Sequence, residues 1–198
     1  MEDVALRRWT RAEYHRIGEA GILGEEERVE LIDGEIFMRK AMNPPHATAV
    51  RRVQRVLERI FDPDRFIVQS QLPIAPDDYS EPQPELAVLA GTVDDFEADH
   101  PATALLVVEV SESSLRFDRG RKARLYARAR IPEYWIVNLV EGHLEVHRDP
   151  EPHPSPDFGW RYASLRSLAP GEELVPIGAQ AAVRVSELMP RSVLDRTS

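Results

Sequence analysis

A strand that is apolar on both faces must be covered on both sides. The segment Leu105-Leu106-Val107-Val108-Glu109-Val110-Ser111 reads as such a strand. Leu105, Val107, Glu109 and Ser111 share one parity; Leu106, Val108 and Val110 share the other. This predicts a central strand in a layered sheet with helices on each side, a mixed α/β class. A carboxylate on that strand is costly unless it is paired, hydrogen-bonded or bound to a metal. Glu109 therefore stands out from every other acid in the chain.

The surrounding segments fit that layering. Thr10 and Glu13 form a capping box for a helix that Gly21 ends. Val29–Ile32 and Glu35–Met38 flank Asp33-Gly34, a strong hairpin signal. Val50, Val53, Leu57 and Ile60 recur at helical spacing, which predicts a helix over about Pro45–Phe61. Its Arg51, Arg52, Arg55 and Arg59 read as a solvated face. Strands are predicted over Arg65–Ile74, Glu85–Ala90, Ala104–Ser111 and Glu133–Leu139. A helix over about Arg119–Arg130, with Asp118 as N-cap and Pro132 beyond its end, separates the last two. After His143–Arg148 come a proline-rich loop over Pro150–Pro156 and β-like pieces at Gly159–Leu168 and Glu173–Ile177.

The 198 residues suit one domain. We expect it to span residues 1–198, with a core over about 9–148 and a C-terminal β extension over about 149–198. The absence of cysteine excludes a disulfide framework, a thiolate zinc site, an iron–sulfur cluster and a thiol nucleophile. A net charge of −9 excludes general electrostatic capture of nucleic acid. No apolar run approaches the ~18 residues of a membrane span, and the charged start, Met1–Arg8, is no secretory signal. The expectation is a soluble, cytoplasmic protein without a membrane partner.

Two further residues join Glu109. Glu85 opens the preceding strand, and acids on neighbouring strands suit a shared divalent cation, since hard cations prefer carboxylate oxygen. With Lys122 set at zero on a helical wheel, Leu125, Tyr126 and Ala129 fall on its side, while Arg121, Arg124 and Arg128 fall opposite. Lys122 thus sits on the apolar face, aimed at the sheet, where it needs a carboxylate or phosphate partner. His143, His147 and His153 lack tight ligand spacing, so no zinc site is built from them. Ser111 and Ser113 have no evident His–Asp partners.

Pro84-Glu85, Glu109-Val110-Ser111, and Asp118 and Lys122 with Tyr126 resemble the restriction-endonuclease-like superfamily, named for its PD-(D/E)xK motif. From about Trp9 to Arg148 the chain is similar to the Uma-two family of restriction endonucleases. The resemblance rests on Arg28–Glu35, Pro45-His46, Glu109–Ser114, Lys122–Ala127 and, most of all, Ile131-Pro132-Glu133-Tyr134-Trp135-Ile136-Val137. It implies a mixed central sheet flanked by helices, preceded by an N-terminal helix and β-hairpin. It also implies a Mg²⁺- or Mn²⁺-dependent DNA endonuclease. In that reading Glu85, Glu109 and the carbonyl of Val110 hold the metal, and Glu85, Glu109 and Lys122 are catalytic. Glu30, His46 and Tyr126 are auxiliary positions. Two departures matter: Glu85 replaces the family's usual Asp, and Ser111 stands where the motif's lysine normally lies, with Lys122 as its counterpart on the next helix. A second reading is an inactive nuclease-fold module for nucleic-acid binding or protein interaction. We further expect a homodimer through the tail strands, with Tyr134-Trp135 offering aromatic surface.

Overall fold

The structure, a computed structural model, describes residues 5–24, 27–39, 42–154 and 159–197. Met1–Val4, Ser155 and Pro156 from the segments discussed above lie outside them. A six-stranded sheet occupies the centre, in the order β3-β4-β5-β6-β7-β8. Its strands are β3 (Phe66–Ser70), β4 (Leu86–Ala90), β5 (Leu106–Ser111), β6 (Glu133–Asn138), β7 (His143–Pro152) and β8 (Trp160–Leu168). β5 and β6 run parallel and every other neighbouring pair is antiparallel. Parallel neighbours need a crossover, and the helical segment between β5 and β6 supplies it. All six residues of β5 are buried, as the double-sided apolar pattern requires.

The two faces carry different layers. Helix α2 (Pro44–Ile60) sets Val53, Leu57 and Ile60 against Leu86, Val88, Val108, Val110 and Trp135. Two short C-terminal helices, α5 (Val185–Leu188) and α6 (Arg191–Thr197), join this layer through Leu188, Met189 and Val193. The opposite face, with Ala87, Val107, Tyr134 and Ile136, is covered by the hairpin of β1 (Val29–Ile32) and β2 (Glu35–Met38) and by the crossover helix. Helix α1 (Arg11–Glu19) carries the expected Thr10–Glu13 capping box. The tail thus adds helices as well as strands. Its short pair β9 (Glu173–Leu174) and β10 (Val183–Arg184) forms a separate ribbon.

The crossover departs from the sequence reading. It begins at Leu115 as α3 (Leu115–Phe117), widens into a π-helical turn over Asp118–Lys122 and continues as α4 (Ala123–Arg128). Asp118 is therefore not an N-cap. Hydroxyls of Ser111 and Ser114 donate to its carboxylate and hold it against the sheet, and its carbonyl accepts from Ala123 N and the Tyr134 hydroxyl. Helical wide turns of this kind recur at functional sites. Arg130, at φ 56°, closes the helix earlier than expected. β3 also stops early, because Gln71 turns at φ 55°.

Tyr134 and Trp135 correct one expectation. Both are wholly buried, so they offer no surface to a second copy. They sit on adjacent positions of a central strand and point to opposite covered faces.

The hairpin turn allows a direct test. Asp33 and Gly34 adopt φ 52° and 77°, the left-handed pair of a type I′ turn. A Cβ on Gly34 would lie 2.5 Å from Cβ of Arg8. Gly34→Ala is expected to lower Tm by at least roughly 2–4 °C. Scanning calorimetry reads this, and an unchanged Tm would refute the close approach.

Candidate active site

The sheet register places the acids. Leu86 pairs with Val108 and Ala87 with Val107. One step further along this antiparallel pair sets Glu85 opposite Glu109. Glu109 in turn pairs with Ile136, and Ile136 with Glu145. Glu85, Glu109 and Glu145 thus form one row across the sheet, and residues opposite one another share a face. Each has its own cation, supplied by the layer over that face. Arg39 Nη2 lies 2.8 Å from Glu85, Lys122 Nζ 2.9 Å from Glu109, and Arg119 Nη2 2.7 Å from Glu145.

Glu109 and Lys122 form the centre. Lys122 Nζ donates to Glu109 Oε1, and the Tyr126 hydroxyl donates to the same oxygen at 2.8 Å. Lys122 also lies 3.1 Å from Glu30 Oε2, an oxygen that accepts from Gln83 N. The helical-wheel reading of Lys122 is thus matched by its partners. Among the described residues, no hydrogen bond engages Glu109 Oε2. Glu85 is more heavily held: Arg39 donates to Oε1, Gln71 donates to Oε2 at 2.7 Å, and His46 Nε2 is 3.1 Å from Oε1.

Glu30, Glu85, Glu109, Val110, His46 and Lys122 line one cleft of about 280 Å³, together with Arg39 and Asp118. Tyr126 lies behind it, fully buried, and fixes Glu109 from the rear. Sequence reasoning missed Arg39 and Gln71 as partners of Glu85. Arg39 reaches the cleft only because the hairpin folds over the sheet, and Gln71 only because β3 ends in a left-handed residue. Neither event has a local sequence signal.

The charges in the cleft do not balance. Glu30, Glu85, Glu109 and Asp118 are all at most 5% exposed. The cations facing them are the buried Lys122 and the half-buried Arg39. The more exposed lining charges, Arg28 and Glu112, cancel, and His46 adds a positive charge only when protonated. With all four acids ionised, the cleft carries a surplus of two negative charges. Burial, joined by Asp118, Glu30 and Glu85, pushes the Glu109 carboxyl up to about 7 against the pull of Lys122. Burial works the same way on Glu85, but hydrogen bonds from His46 and Gln71 and the charge of Arg39 hold it at about 2. Burial acts to lower Lys122, yet Glu109, Glu30 and Asp118 raise it above its ordinary value, so it stays charged.

A hard-cation site fits this donor set. Carboxylates of Glu30, Glu85, Glu109 and Asp118 line one cleft, and the surplus equals the charge of a divalent ion. Among the described residues, the group that brings three ligand atoms within 4.8 Å of one another lies elsewhere, at Glu141, His143 and Glu145. Arg119 already bridges Glu141 and Glu145, and Asn138 donates to both. Arg119 offsets one of that group's two carboxylate charges, which leaves it less negative than the cleft.

Residues 11–182 match the family model Uma2, whose description is "Putative restriction endonuclease". The chain belongs to this family. Among solved structures it is similar to the crystal structure of a putative nuclease belonging to DUF820 from Anabaena variabilis ATCC 29413. The TM-score is 0.69 at 14% identity, covering 90% of this chain and 96% of that one. At that identity the likeness shows the fold. No curated protein matches. Among the described residues, no helix is long and apolar enough to cross a membrane.

Proposed function

We propose that the protein is a divalent-metal-dependent endonuclease that hydrolyses phosphodiester bonds of DNA in this cleft. The uncancelled double negative charge carries the reading, and membership of the Uma2 family supports it. Glu85, Glu109 and the Val110 carbonyl would hold Mg²⁺ or Mn²⁺. Such an ion supplies a water of lowered pKa and offsets charge on the phosphate. Lys122, kept charged by Glu109 and Glu30, orients the attacking water or faces the developing phosphate charge. Tyr126 and Lys122 both engage Oε1 of Glu109, which leaves Oε2 to turn toward the cleft. His46 and Gln71 fix the Glu85 carboxylate.

The test is calorimetric titration with Mn²⁺, paired with cleavage assays on single-stranded, duplex and branched DNA. One cation bound per chain, together with metal-dependent cleavage, is the expected result. A second reading, the nuclease-fold module without catalysis, draws on Glu85, whose two oxygens are both already hydrogen-bonded. Absence of Mn²⁺ binding would favour that module.

We also infer a cytoplasmic homodimer. β8 ends the sheet as an edge strand with Leu165 61% exposed, and paired edges are one way such strands are covered. Light scattering should give twice the 22.5 kDa chain mass; the single mass would sink the dimer.

A further inference from the structure

A broad groove of about 880 Å³ runs along the crossover helix beside the cleft. Its lining includes Arg116, Arg119, Arg121 and Arg124 and contains no acid. In a chain of net charge −9 this is a local reversal of sign. Arg119 and Arg121 have carboxylate partners. Arg116 and Arg124 are exposed, and among the described residues neither forms an ion pair. Ser113, Ser114 and Phe117 line both the groove and the cleft, so the two are continuous.

The spacing suits a strand of phosphates. Arg116 and Arg124 are eight residues apart on one helical segment, roughly 12 Å at ~1.5 Å per residue. That is the reach of a few consecutive phosphates along a strand backbone. Gly120 lies between them, and nothing within 4 Å would meet a Cβ there. The floor of the groove is open at the level where a backbone would pass.

We propose that this groove carries the phosphodiester backbone of a nucleic-acid strand leading from the cleft, without regard to base sequence. The proposal deepens the nuclease reading and rests on it for the identity of the polyanion. Arginines without acidic partners contact phosphates at little cost, because no internal pair has to be broken. They also give an acidic protein one surface that a polyanion can approach.

The full chain is titrated with a fluorescent single-stranded DNA oligonucleotide in Ca²⁺, across a range of salt. One variant is Arg116→Gln/Arg124→Gln. The other is Gly120→Glu, which adds a negative charge to the open floor and replaces Gly with a better helix former. Each should weaken binding by at least roughly tenfold at ~0.1 M salt, and the double variant should reduce the salt slope by about 1.4, two lost contacts at ~0.7 each. Hydrolysis of bis(p-nitrophenyl) phosphate, too small to reach the groove, should not change. Wild-type affinity and slope in both variants would overturn the groove, as would a wild-type chain that binds no DNA. DNA binding that depends on these arginines in a protein that hydrolyses neither substrate would keep the groove and overturn the nuclease.

Discussion

Glu109→Gln is expected to reduce DNA cleavage by roughly 10²–10³-fold, the scale of losing a group that stabilises transition-state charge. The same change should leave the metal-free protein at least as stable as wild type at pH 8. The two effects have one cause. Glu109 belongs to a cleft with two uncancelled negative charges, and burial raises its carboxyl to about 7. Because the folded state prefers the protonated form, Glu109 contributes stability below its ordinary value of 4.5 and loses it as pH rises through 7. Glutamine cannot ionise, so the variant should lack this loss between about pH 5 and 8. Its Oε1 still accepts from Lys122 and Tyr126, so the local hydrogen bonds survive. Glu85 acts in the opposite direction: its stabilisation is present above 4.5 and lost as pH falls through about 2. The acid limb of the profile should therefore be shared by both proteins. Saturating Mn²⁺ at 100 times Kd should stabilise wild type by ~2.7 kcal/mol, or roughly 5–11 °C in Tm, and the variant hardly at all. A variant that keeps either the metal shift or the cleavage rate would refute a metal role for Glu109.

The sequence made the site's centre legible because Glu109 violates the pattern around it. A carboxylate within an apolar strand demands compensation, and Lys122 on the apolar face of a helix demands the complement. Each residue predicted the other's kind of partner. The sheet was legible for a related reason, since residues on both parities of β5 had to be covered. The rest depended on tertiary geometry. Asp118 looked like a cap because Asp before a helix usually is one, but Ser111 on the strand and Ser114 on the loop captured its side chain. Arg39 and Gln71 met Glu85 only after a hairpin and a strand end had been placed. Lys122 on its wheel called only for a carboxylate or phosphate partner; in the cleft it balances buried charge and also faces the proposed metal site. Its two buried partners give it both roles.

Lys122→Met tests those two roles together. Methionine keeps most of the side-chain stem and deletes the charge, so packing changes little. Lys122 is only 4% exposed in its side chain and lies within 3.1 Å of both Glu109 and Glu30. Removing it leaves two buried carboxylates without their cation, beside Asp118. Breaking a buried pair from one side costs ~3–5 kcal/mol, so Tm should fall by roughly 6–20 °C at pH 8 in the absence of metal. Adding Glu109→Gln should recover part of that loss, because the charge left unpaired is removed with it. A structural ion pair would behave the same way to this point, and the metal separates the cases. Losing Lys122 raises the surplus negative charge in the cleft from two to three, so Mn²⁺ should bind Lys122→Met at least as tightly as wild type. Bound metal should restore most of the lost Tm, yet cleavage should stay low, because no ammonium faces the water or phosphate. If the metal-loaded variant cleaves DNA at the wild-type rate, Lys122 is only a counter-ion. If its Tm without metal is also unchanged, the pairing with Glu30 and Glu109 is not what holds this cleft together.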